Sequence, residues 1–258
     1  MASVHIYGAT INANHLRQRI ERKFFVLPKN IGLAYGLLQH VCRLDREYPS
    51  EQINSLYFDT ADLDQHEKSS SGDYRKDKVR IRWYGEDEDL NGRQAVFLEL
   101  KSRRGFASTK QRLKLEVPAE NLAPHHLGKG IVARTLLADT LARFGYFSPE
   151  PLQPVIRISY WRYRFTEMLT GMRVALDCYI RSTMIIPGSG NGEHELDLSG
   201  GVVEVKGTSI ELPITLRHMK FLDLDWSRFS KYSSCIDSHN EGIGTIGRLS
   251  PSGKIIQL

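Results

Sequence analysis

Lys78-Val79-Arg80-Ile81-Arg82-Trp83 places a cation at every second position and an apolar residue after each. Successive side chains of a strand point to opposite faces, so this run sorts into one basic and one apolar face. Moving outward from it, the same sorting recurs. Glu99 and Lys101 alternate with Leu98 and Leu100, and Glu204 and Lys206 alternate with Val203 and Val205. One such strand is an ordinary solvent-facing strand. Several in one chain indicate a sheet with a charged concave face, and closing that sheet gives a charged lumen. Buried cations without partners are costly, so such a lumen makes sense only if wet and shaped for an anion. The pattern points to a polyanion, with phosphate as the first candidate.

The 258 residues fit one large β-rich domain, since no stretch reads as a long linker. Hydrophobic residues at 41% supply a core, while 25% charged residues and a mean hydropathy of −0.35 argue against a membrane or disordered class. The net charge of +5 favours an acidic partner only weakly. Cys42, Cys178 and Cys235 are widely spaced with no C-x-x-C, which indicates neither a disulfide framework nor a zinc site and fits a reducing compartment. The first residues lack an apolar core of signal-peptide length, and no apolar run reaches the length of a bilayer span. The expected location is cytoplasmic, without membrane insertion.

Strands are predicted at Glu21–Leu27, Gln52–Asp59, Lys78–Tyr84, Ala95–Ser102, Arg112–Val117, Val155–Phe165, Met172–Arg181, Glu195–Leu198 and Val202–Gly207. Helical spacing of apolar residues marks Asn30–Arg46 and Gly130–Phe144. The polar stretch from Asp64 to Asp77 reads as a loop, and a terminal helix is expected near Ser227–Ser234. The Gly-rich run Pro187–Glu193 lacks the G-K-[ST] ending of a phosphate loop and reads as a turn. Short charge- or Gly-rich turns between strands give an antiparallel meander. The fold class is therefore α+β: an antiparallel β tunnel barrel with helices packed on the outside. Residues 1–18 are an N-terminal arm, 19–236 the tunnel domain and 237–258 a peripheral tail.

The ordered set Glu21-Arg22-Lys23-Phe24-Phe25-Val26, SLYFDT (55–60), VRIRWYG (79–85), LELKSRRG (98–105), PVIRISYWRYRF (154–165), RVALD (173–177), VVEVKG (202–207) and FSKY (229–232) resembles the polyphosphate polymerase domain of vacuolar transporter chaperone (VTC) complexes. That family belongs to the triphosphate tunnel metalloenzymes, which include CYTH-type triphosphatases and cyclases. The resemblance implies the triphosphate tunnel fold, with Lys23, Arg80, Arg82, Lys101, Arg162, Lys206 and Lys231 gripping phosphate. Tyr160 and Ser230 then serve as hydrogen-bonding partners, and Glu204 is the principal metal ligand, with Glu99 and Glu21 as secondary ones. Arg157 is an alternative substrate contact. Lys110, Arg112 and Lys114 share a face near a strand start; Arg112 is kept as a substrate-binding candidate beside a structural reading of that row.

Two features depart from the pattern. Tyr160 and Arg162 share their strand face with Ile156 and Ile158, so either those isoleucines lie beyond the tunnel mouth or a bulge shifts the register. Many CYTH-type members open with E-x-E-x-K, whereas this chain has Arg19 at the first acid, which favours the polymerase branch.

Phosphoryl transfer needs nucleophile and leaving group in line and charge on the equatorial oxygens neutralised. Arg offers a planar fork and Lys a mobile point charge. Mn2+ or Mg2+ held by one or two carboxylates and phosphate oxygens is the expected cofactor. The expected partners are ATP or another triphosphate and inorganic polyphosphate, with room for a membrane protein that accepts the product. The expected function is a polyphosphate polymerase moving the terminal phosphoryl group of ATP onto a growing chain. A tripolyphosphatase or nucleoside triphosphatase on the same tunnel, or a non-catalytic polyphosphate-binding module, are the alternatives. Nucleic acid is not expected as a partner, because it would call for broad basic outer patches.

Overall fold

The computed structural model describes residues 5–6, 20–85, 92–105, 107–185, 195–209, 211–222, 229–241, 248–249 and 255–256. In chain order they form β1 (His5–Ile6), β2 (Ile20–Val26), α1 (Ile31–Val41), β3 (Cys42–Leu44), β4 (Ser50–Asp59), α2 (Asp64–Ser70), β5 (Arg75–Tyr84), β6 (Arg93–Arg104), β7 (Ala107–Pro118), α3 (Arg134–Arg143), β8 (Gln153–Glu167), β9 (Arg173–Met184), β10 (Glu195–Leu198), β11 (Gly201–Gly207) and α4 (Lys231–Glu241), followed by a two-strand hairpin, β12 (Arg248–Leu249) and β13 (Ile255–Ile256). An 11-stranded sheet runs in the order β1-β7-β6-β5-β4-β8-β9-β11-β2, with β10 added to β9 and β3 to β8. Its pairings are antiparallel, as the meander predicted. Hydrogen bonds do not close the sheet among the described residues. Curvature brings its far ends together, and Lys101 on β6 reaches Glu21 on β2 at 2.9 Å.

Residues directly opposite in a ladder share a face. The register sets Arg80 against Tyr57 and Glu99, Arg82 against Ser55, Arg162 against Glu51 and Asp177, Lys23 against Glu204, and Glu21 against Lys206. All of these therefore line the concave side, and the intervening aliphatic residues form the outer wall. One outer core joins Val79, Ile81, Trp83, Leu98 and Leu113 to Leu137 and Leu141 of α3. A second joins Phe24, Val26, Val203 and Val205 to Ala34 and Leu38 of α1. Burying each such Leu, Ile or Val contributes about 1.5–3 kcal/mol, which holds α1 and α3 on the outside as expected.

Helix α4 differs, because it lies on the concave side. Its Tyr232, Cys235 and Ile236 cover Ile53, Tyr57, Ile156, Ile158 and Tyr160. That placement resolves the β8 problem. The β4–β8 ladder runs unbroken from Glu51/Arg162 to Tyr57/Ile156, so the isoleucines do share the lumen face and are roofed by α4. Residues 237–241 continue this helix.

Other boundaries also moved. The helix expected to Arg46 ends at Val41, because β8 outruns β4 and the backbone of Phe165–Glu167 pairs with Cys42–Leu44 instead. The stretch read as a polar loop contains α2 and the start of β5. Asp59 organises that helix, its carboxylate accepting the N–H groups of Thr60, Gln65 and His66 at 2.8, 2.9 and 3.0 Å. The Gly-rich run at 187–193, the arm apart from His5–Ile6, and Arg19 lie outside the described residues.

Candidate active site

Asp177 and Glu204 organise one wall of the lumen. Asp177 is fully buried; Arg162 clamps both its oxygens through Nε and Nη2 at 2.6 Å each, and Lys231 Nζ lies 2.5 Å away. Glu204 meets Arg162 at 3.0 Å, Lys206 at 3.1 Å, Lys231 at 3.5 Å and Lys23 at 3.8 Å. Burial pushes both carboxyls up, but these cations outweigh it and hold them below their ordinary range. For the same reason Arg162 and Lys231 are held above theirs despite burial. Lys231 enters the lumen as the first residue of α4, whose first turn is capped by Ser230: its Oγ accepts the Ser233 N–H at 3.3 Å.

Glu21 sits beside this cluster. It accepts from Lys101 at 2.9 Å and lies 3.4 Å from Lys206. Burial raises its carboxyl, yet Lys23, Lys101 and Lys206 leave it below the ordinary range.

The facing wall, β5 to β7, carries cations with fewer acids. Glu99, 1% exposed, takes Arg80 at 2.8 Å, Lys110 at 2.6 Å and Arg112 at 3.1 Å. Arg80 also donates to the Tyr57 hydroxyl at 3.0 Å. The hydrogen bonds of Arg82 go to hydroxyls, Ser55 Oγ at 3.3 Å and Tyr160 at 3.1 Å. Lys78 likewise donates to Ser230 Oγ at 2.6 Å. Lys78 stands directly opposite Lys101, a like-charge pairing that destabilises a sheet. Burial, reinforced by Lys23, Lys101, Lys76 and Arg80, pushes the Lys78 ammonium well below its ordinary value. Burial lowers Lys101 too, and takes Lys110 down to about 7 with Arg80 and Arg82 adding to the effect.

The structure thus brings together Lys23, Arg80, Arg82, Lys101, Arg162, Lys206, Lys231, Tyr160, Ser230, Glu21 and Glu204. Glu99 shares the face but is saturated by its three cations. Arg112 lies at one mouth, 3.5 Å above the Phe97 ring and bonded to the Tyr84 hydroxyl at 2.9 Å. Arg157 does not join the set. It occupies the outer face of β8 and donates to Asn54 Oδ1 at 3.1 Å, because one step along a strand reverses the side. Sequence reasoning missed Asp177, although Arg173, Ala175 and Asp177 carry the same alternation. It placed Lys78 on the basic face without assigning it a role, and it passed over Ser55 and Tyr57, whose roles depend on which strands become neighbours.

A family model described as the VTC domain matches residues 18–240. The chain belongs to the VTC domain family. A curated relative, vacuolar transporter chaperone complex subunit 4 of Schizosaccharomyces pombe, is 23% identical over 204 residues, covering 76% of this chain. The chain spans only 27% of that protein's length. Among solved structures, a Bacillus halodurans protein provisionally named an adenylate cyclase superposes with a TM-score of 0.50 at 17% identity, covering 83% of this chain and 94% of the other. That likeness shows the fold, which agrees with the open-seamed tunnel described above. No helix among the described residues is long and apolar enough to cross a membrane.

The metal expected of this VTC domain can be tested against its donors. Glu21 and Glu204 both lie within 3.4 Å of the Lys206 ammonium, so two anionic carboxylates already converge on one cation. Hard oxygen donors of this kind fit Mg2+ or Mn2+ completed by phosphate oxygens. Among the described ion pairs Glu99 shares no cation with Glu21 or Glu204, and Asp177 shares Arg162 and Lys231 with Glu204 but none with Glu21.

Proposed function

We propose that this VTC-family chain is a polyphosphate polymerase that moves the terminal phosphoryl group of ATP onto a growing inorganic polyphosphate chain. The observation that carries the reading is the uncompensated charge of the lumen. Among the described residues Lys23, Lys78, Arg80, Arg82, Lys101, Lys110, Arg112, Arg162, Lys206 and Lys231 make their ion pairs with just four carboxylates, Glu21, Glu99, Asp177 and Glu204, while Glu51 on the same face is taken by Arg164. A triphosphate threaded between the walls supplies the missing negative charge. Arg80, Arg82 and Arg162 fork its oxygens, the lysines neutralise charge along it, and the Tyr160 and Ser230 hydroxyls fix its register. Glu204 and Glu21 hold the divalent ion, which when bound draws charge from the phosphate oxygens.

A specific feature supports polymerase over hydrolase. The four lumen carboxylates are held anionic by lysines and arginines, so none is a base poised for water. The anionic end of a phosphate chain needs no base, only alignment. The free, buried cysteines accord with a cytoplasmic setting, and the likeness to a complex subunit with a membrane-protein partner for the product.

The test is incubation with ATP and Mn2+, with products resolved by size and free phosphate assayed in parallel. Long chains from the wild type, lost in Glu204→Gln and in chelator, are expected. Free phosphate without chains would convert the assignment to a triphosphatase, and tight polyphosphate binding without turnover to a binding module.

A further inference from the structure

The two helical covers of the outer wall leave a gap. The α3 cover reaches the strands from β4 to β7, and the α1 cover reaches β2, β9, β11 and the Tyr163–Phe165 end of β8, stopping short of Ser159 and Trp161. Between them a cavity of about 140 Å3 opens on the wall, lined by Gln52, Ser159, Tyr160, Trp161, Tyr179 and Arg181. The ladder sets Gln52 opposite Trp161 and Ser159 opposite Arg181, which places these four side chains on the face away from the lumen.

The backbone here is unusual. Between Ser159/Arg181 and Trp161/Cys178 the register shifts, so Tyr179 and Ile180 together oppose the single Tyr160. Tyr179 takes φ 52, a left-handed conformation that aromatic residues adopt only under constraint. The result leaves its ring 68% exposed at the cavity. Burial of the ring therefore cannot be what maintains the bulge. Bulges of this kind re-aim side chains beside binding sites.

We propose that this cavity is a purine-nucleotide site separate from the lumen. The base lies against the Trp161 and Tyr179 rings, and the Gln52 amide, both donor and acceptor, meets its polar edge. The cavity is smaller than the roughly 300–1,000 Å3 that encloses a whole ligand, so sugar and phosphate stay outside. There the half-exposed Arg181, 3.3 Å from Glu195, exchanges that partner for the phosphate.

The test is calorimetric titration of the full chain with AMP, in saturating tripolyphosphate so that the lumen is filled or irrelevant. Saturable one-to-one binding is expected, weakened about tenfold or more with ribose 5-phosphate and in Tyr179→Gly, because each loses the base–ring stacking. Glycine keeps the left-handed backbone, so the variant should fold with an unchanged or higher Tm and an unchanged affinity for tripolyphosphate. No AMP binding, equal affinity for ribose 5-phosphate, or full binding by Tyr179→Gly would each overturn the proposal. The tripolyphosphate titration alone reports on the lumen reading and separates its failure from this one.

Discussion

The two walls of the lumen contain the same residue types, but only one of them leaves cations to hydroxyls. Around β9, β11 and β2 the lumen cations have carboxylates: Asp177 and Glu204 both take Arg162 of β8 and Lys231 of α4. On the β5–β6–β7 wall Lys78 and Arg82 donate to hydroxyls, and Lys78 stands opposite another lysine. Pairing fixes the cations of the first wall in place, so that they meet an incoming anion in set positions. Leaving cations to hydroxyls makes the second a surface that an incoming anion completes. The difference teaches that a basic residue in this tunnel is not functional merely by being basic; its partner decides.

The largest way to break the contrast is Asp177→Ala. It strands Arg162 and Lys231 in the interior and should cost about 3–5 kcal/mol in denaturant unfolding; a cost below about 1 kcal/mol would mean that pairing does not fix the cations of this wall. On the other wall, Lys78→Met should lower tripolyphosphate affinity by about tenfold or more, a charge-assisted hydrogen bond being worth about 1.5–3 kcal/mol. Because it also removes like-charge repulsion, Tm should hold or rise. Loss of stability with unchanged affinity would reverse the assignment. The smallest effect is expected where α4 meets the lumen. Tyr232 donates to Asp59 Oδ2 at 2.5 Å, and Tyr232→Phe should cost about 1.5 kcal/mol, since three backbone N–H groups still serve that carboxylate.

Much of this contrast was legible in the sequence. The alternation at 78–83, 98–101 and 203–206 assigned faces correctly, because a period of two survives folding whatever the neighbours are. What could not be read is which acid meets which cation. Asp177 and Arg162 are partners through the β8–β9 register, and Lys231 reaches them only because α4 enters the lumen. The inward placement of α4 was likewise hidden: LysTyrSerSerCysIle reads as a weakly apolar helix, and its cover over Ile156 and Ile158 is purely tertiary. Helix α2 escaped notice because the carboxylate that serves its first N–H groups, Asp59, lies in the preceding strand.

The central claim is that the lumen carries cations that an anion completes, and proton linkage tests it directly. Burial depresses Lys78, Lys101 and Lys110, Lys110 to about 7 from its ordinary 10.5. The unfolded chain therefore binds more protons than the folded one above pH 7, and stability without ligand should rise as pH climbs from about 7 toward 10. A bound polyanion raises those lysines again. The measurement is tripolyphosphate titration at pH 8 in buffers of different ionisation enthalpy. Net proton uptake on binding, shrinking as pH falls below 7, is the predicted result; binding with no uptake, or with proton release, would contradict the account.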